Sequence, residues 1–62
     1  MLFRSDRRLL VLLTVGMTDE AMARHMGLSR RTVQRRLADL SRSVAAESRF
    51  QLGVEASRRG WV

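Results

Sequence analysis

Cysteine, lysine and proline are all absent from this 62-residue chain, and histidine occurs once. Without cysteine there is neither a disulfide framework nor a thiolate metal site, and a lone histidine cannot build a zinc centre. The lack of proline, of low-complexity stretches and of internal repeats leaves no visible linker, so residues 1–62 read as a single domain. Leu9 to Val15 is an apolar stretch, but it falls well short of the roughly 20 residues a membrane helix needs. The opening Met1-Leu2-Phe3-Arg4 is not followed by a cleavage-site pattern, so no signal peptide is expected. No glycine-rich phosphate loop is present, carboxylates are few and scattered, and no nucleophile sits with a paired base. These absences disfavour an enzyme, and no cofactor or metal is expected.

What the chain has is arginine. All 12 of its Lys and Arg positions are arginine, against six acids, for a net charge of +6. The codon composition of a GC-rich genome accounts for arginine in place of lysine. It does not account for the excess of cations over acids, which points to a polyanionic partner. A chain this short buries only about 60% of its unfolded surface, so its core has little in reserve unless a second chain helps.

Apolar spacing predicts four helices. The first runs from Ser5, read as its N-cap, to Val15; it buries a wide face through Leu9, Leu10, Leu12 and Leu13, has Asp6 at the positive end of its dipole and stops at Gly16. Thr18 caps a second helix, Asp19 to Met26, with Met22 and Met26 turned inward, and Gly27 supplies the backbone freedom for a sharp reversal. Leu28 plugs that corner. Ser29 caps a third helix, about Arg30 to Ser43. With Val33 at the centre of its inner side and about 100° per residue, Leu37, Leu40 and Val44 fall within about 40° of it.

The opposite side of the third helix carries Arg31, Arg35, Ala38 and Arg42, flanked by Gln34 and Asp39. Most charged helix faces are merely solvated. A face chosen only for solubility usually mixes signs, however, whereas this one has three arginines and a single acid at its margin. Two short helices across a tight turn, the second presenting charge outward, make a helix-turn-helix, whose second helix enters the DNA major groove. After a connection at Val44 to Glu47, Ser48 and Gln51 form a capping box for a fourth helix. One side of it lines up Phe50, Val54, Ser57 and Trp61, the other Leu52, Gly53, Ala56 and Gly60. One side packs on the first and third helices, and the other is left for a second copy or another domain, unless Trp61 simply covers the end of the core. Met17, Met22 and Met26 read as core gap-fillers, and His25 as either an exposed helix residue or a pH-sensitive contact.

Leu9 to Leu13, Gly16-Met17-Thr18, Met22-Ala23 and Leu28-Ser29-Arg30-Arg31-Thr32-Val33 together resemble the C-terminal DNA-binding domain of LuxR-type (GerE-like) transcription regulators over nearly the whole chain. In that pattern Ala23 is small so that the two helices of the motif can approach. The resemblance implies an all-α, four-helix domain that binds double-stranded DNA as a homodimer, joined through the last helix at Phe50, Val54, Ser57 and Trp61. It implies base contacts from Gln34, Arg35 and Ala38, with Arg31 reaching a base or a phosphate. Thr18, Ser29, Arg30, Thr32, Arg36 and Arg42 are expected at the phosphate backbone. It further implies a cytoplasmic, nucleoid-associated regulator, with RNA polymerase as a further partner and no membrane. The chain would be the output domain of a longer regulator or a small stand-alone one.

Departures from the family pattern bear on base preference and on one corner. The family's Thr-Val-Lys is Thr32-Val33-Gln34 here, Arg36 stands where the family often has His, and Leu2-Phe3-Arg4 replaces the usual Leu-Thr-Pro start, with Asp6 for the first-helix Glu. Val44-Ala45 replaces Leu-Gly before the last helix, where a left-handed alanine would be strained, which leaves that corner open to a different construction. Two other readings compete. A sigma-factor region resembles the same motif but ordinarily ends near the recognition helix, and a protein-binding or dimerisation module would turn the arginines toward an acidic protein.

Overall fold

A computed structural model describes residues 2–62, and in them the chain forms α1 (Arg4–Val15), α2 (Asp19–Met26), α3 (Arg30–Ser43) and α4 (Arg49–Arg58). No strand occurs among the described residues, so the fold is a small all-α domain of four helices. None of these helices is long and apolar enough to cross a membrane. Leu9, Leu10 and Leu13 from α1 meet Met22 and Ala23 from α2, Val33, Leu37 and Leu40 from α3, and Leu52 and Ala56 from α4, with Val44 closing the set. Leu12, Met17, Met26 and Leu28 are partly buried against this core. The α3 stripe is therefore the one its spacing predicts, and burying it leaves Arg31, Arg35, Ala38 and Arg42 exposed.

The starts of α2, α3 and α4 follow from side-chain caps. Thr18 Oγ1 accepts from the Ala21 N–H at 3.1 Å, Ser29 Oγ from Thr32 at 3.0 Å and Ser48 Oγ from Gln51 at 3.1 Å, each satisfying a donor the helix itself leaves unpaired. The Gln51 side chain completes its box one residue early, accepting from the Glu47 N–H at 2.6 Å rather than from Ser48. α1 corrects the expected cap at Ser5. Phe3 occupies that position with no side-chain hydrogen bond, and its carbonyl accepts from the Arg7 N–H at 3.0 Å, which places Ser5 inside the first turn.

All four helices end the same way. The N–H groups of Met17, Leu28, Ala46 and Trp61 donate to the carbonyls five residues earlier, Leu12, Ala23, Ser41 and Ala56, at 2.8–3.2 Å. The residue before each donor has positive φ: Gly16, Gly27, Ala45 and Gly60. At Gly27, φ +68°, a Cβ would meet nothing within 4 Å, so glycine is required there by the backbone and not by space. Ala45 keeps the left-handed corner that its side chain disfavours, with φ +56°. The Ala46-to-Ser41 bond and the burial of Val44 hold it there. Such a residue costs about 1–2 kcal/mol, partly offset in a glycine variant by the looser unfolded chain. Ala45→Gly is accordingly expected to stabilise by about 0.5–1 kcal/mol, seen as a melting temperature a few degrees higher. An unchanged or lower melting temperature would contradict the strain.

Trp61 also departs from expectation. α4 ends at Arg58, and Gly60, at φ +72°, reverses the chain, so Trp61 leaves the Phe50 side. Its ring is half-buried against the core, with the Arg59 guanidinium 5.5 Å from the ring centroid. Of the alternatives open in the sequence, the one in which Trp61 covers the end of the core is the one realised. Leu52 and Ala56 face inward, which leaves Phe50, Val54 and Ser57 on the outer side of α4.

Candidate nucleic-acid interface

The candidate surface is the outer side of α3 with the turn before it. Packing of Val33, Leu37 and Leu40 sets the rotation of α3, so the side chains of Arg31, Gln34, Arg35, Ala38 and Arg42 all project away from the core. They are not equivalent electrostatically. Among the described residues, Arg31 and Arg35 have no carboxylate within 4.0 Å, whereas Arg42 pairs with Asp39 one turn back, and Arg30 lies 4.0 Å from Glu20 of α2. Arg36 is half-buried and lies 4.0 Å from Asp6 of α1. Exposed pairs of this kind contribute little to stability, so exchanging Asp39 or Glu20 for another anion costs little.

At the start of α3 the hydroxyls are already engaged. Ser29 Oγ accepts from Thr32 N–H and donates to Thr32 Oγ1 at 2.9 Å, so what these residues present outward is chiefly the helix end itself. The Arg30 and Arg31 N–H groups lie in the first turn, where no intrahelical partner exists. Thr18 accepts from Ala21 as its cap, which leaves its O–H free to donate.

One cluster was not legible from spacing. Asp19 Oδ1 accepts from Arg49 Nη1 at 2.5 Å and Asp19 Oδ2 accepts from Gln34 Nε2 at 3.2 Å, while Arg49 Nη2 donates to the Met17 carbonyl at 3.3 Å. The Arg49 hydrogen bond holds the Asp19 carboxyl below its ordinary value of 3.8; partial burial works the other way, and the Gln34 amide with the charges of Arg49 and Arg30 adds to the lowering. A carboxylate whose pKa is lower in the folded than in the unfolded chain stabilises the fold fully above the unfolded value. That contribution disappears as pH falls through the folded one. The melting temperature of the wild type should therefore exceed that of Asp19→Asn near neutrality, and the gap should close progressively below about pH 5. A gap that stays constant with pH would remove Asp19 as its cause.

Phe50, 79% exposed, lines a groove together with Val54, Ser57, Leu13, Thr14 and Met17. Trp61, expected with them, is on a different surface. His25 is exposed on α2. No three His, Cys, Asp or Glu side chains among the described residues are grouped to hold a metal.

The chain is 47% identical over 55 residues to the bialaphos biosynthetic pathway regulatory protein of Streptomyces hygroscopicus. The match covers 86% of this chain and 22% of that protein, so the chain spans about a fifth of the relative's length. No protein-family model matches the chain, and no solved structure does.

Proposed function

We propose that this chain is the DNA-binding unit of a transcription regulator of the LuxR type, laying α3 in the major groove of duplex DNA as one half of a homodimer. The observation that carries this reading is the outer side of α3. Arg31 and Arg35 there are exposed and have no carboxylate within 4.0 Å among the described residues. The relative's description as a pathway regulatory protein supports it, and a unit one fifth that protein's length fits the output part of a larger regulator.

In this reading Arg35 makes the bidentate contact to guanine O6 and N7, Gln34 pairs with adenine, and Ala38 meets a thymine methyl, each good bidentate pair contributing about 1–3 kcal/mol of discrimination. Arg31 works beside them. Arg30, Arg36 and Arg42, with Thr18, Ser29 and Thr32 at the helix starts, set register on the phosphates. The outer groove of α4 at Phe50, Val54 and Ser57 joins the two copies; Trp61 stays with its own core. The chemistry is binding without catalysis, and the place of action is the nucleoid.

Selection of bound duplexes from a random pool tests this. Arg35→Ala should relax preference at one base position per half-site, and Arg36→Ala should weaken binding to all sequences alike. The reverse pattern would mean that α3 is rotated from the orientation proposed, and absence of any selected sequence would remove the proposal. Titration with random duplex at low salt separates a protein-binding module, which would show no micromolar affinity.

A further inference from the structure

Gln34 does not stand free on the side of α3 that faces α2. Its amide nitrogen donates to Asp19 Oδ2 at 3.2 Å, and Asp19 is itself anchored through its other oxygen by Arg49, which also reaches the Met17 carbonyl. An ionised carboxylate accepts hydrogen bonds and donates none, so Asp19 holds the nitrogen end of the amide and rejects the oxygen end. An unheld glutamine can turn either end outward or present both N–H groups. With one N–H committed to Asp19, position 34 offers Oε1 and a single N–H, an acceptor beside a donor.

Adenine shows the major groove an N7 acceptor and an N6 amino donor, which match that pair. Guanine shows two acceptors, N7 and O6, and would need both N–H groups. We propose that Asp19 is a specificity-determining residue that acts through Gln34, restricting it to adenine over guanine by holding its amide nitrogen. This rests on the reading of α3 as the helix in the major groove. Asp19 is a positioning residue; at near-neutral pH its carboxyl is ionised with or without Arg49, since its pKa lies below an ordinary value of 3.8, so the restriction does not vary with pH there.

The test compares pools of random duplexes selected by the wild type, Gln34→Ala, Asp19→Asn and Arg49→Met. Gln34→Ala identifies the base position that Gln34 reads. There the wild type should prefer adenine over guanine by about tenfold or more. Asp19→Asn keeps the side chain's shape, but with Arg49 donating to its one carbonyl oxygen the NH2 faces Gln34 and holds the oxygen end, which frees both Gln34 N–H groups, so guanine should be accepted to within about threefold of adenine while the other positions stay unchanged. Arg49→Met removes the ion pair and should lower the melting temperature, yet keep the adenine preference. Retained preference in Asp19→Asn, guanine at the Gln34 position in the wild type, or equal loss in Arg49→Met and Asp19→Asn would each overturn the proposal. If Gln34→Ala alters no position in an otherwise selected site, the proposal falls and DNA binding stands. If the wild type selects nothing, both fall.

Discussion

Leu10→Ala is expected to lower the melting temperature by 10 °C or more, as a rough figure, and to broaden the transition. Leu10 is fully buried, in a core that draws on every helix of the chain. Truncating a buried leucine to alanine costs about 2–5 kcal/mol, from lost transfer energy and from the cavity left behind. At about 0.05–0.15 kcal/mol per residue, a domain of this length has a total stability of only about 3–9 kcal/mol. One side chain therefore consumes a large share of it. Val15→Ala, on the same helix but 70% exposed, should shift the melting temperature far less. If the two variants melted within a few degrees of each other, the assignment of the inner face of α1 would be wrong.

Binding to duplex DNA is expected to fall by about 10⁴- to 10⁵-fold between 50 and 200 mM salt, the second large effect. Arginines that meet phosphates release condensed counterions, and each phosphate neutralised adds about −0.9 to the slope of log affinity against log salt. With about four or five phosphates per copy and two copies on the site, the slope should lie near −8. Arg30, Arg36 and Arg42 each lie near a carboxylate in the free domain, but the Glu20 and Asp39 partners are on exposed pairs that a phosphate can displace. A titration across this range whose affinity barely moves would exclude a phosphate-dominated interface, and a slope near half the expected value would mean that one copy binds alone.

How much of this was readable beforehand depends on the range of the interaction. The bounds of α2 and α3 were legible to the residue because they rest on local chemistry: Thr18 and Ser29 bond three residues ahead, and Gly27 sits where left-handed backbone is required. The inner stripe of α3 and its exposed arginines followed from periodicity alone. The start of α1 was misread, because a serine suggests a cap whether or not the chain uses it, and here a backbone bond from Arg7 to Phe3 closes the turn first. Trp61 was placed by continuing helical spacing through Gly60, the residue that ends it; that glycine was the available signal. The corner at Ala45 kept its left-handed form because a neighbouring hydrogen bond and a buried valine outweigh one alanine's strain. The Asp19 cluster lay beyond periodicity altogether, joining residues 15 and 30 positions apart whose meeting depends on the packed fold.

Trp61 has a practical consequence. It is the chain's one tryptophan, half-buried against the core, and it lines the same surface hollow as Leu2, Phe3, Arg36 and Leu40. The groove along Phe50, Val54 and Ser57 shares no lining residue with that hollow. Indole fluorescence is thus a built-in optical reporter of the packing of Trp61 against the core. The association proposed through α4 should leave it unchanged, so melting and assembly can be followed separately in one unlabelled sample.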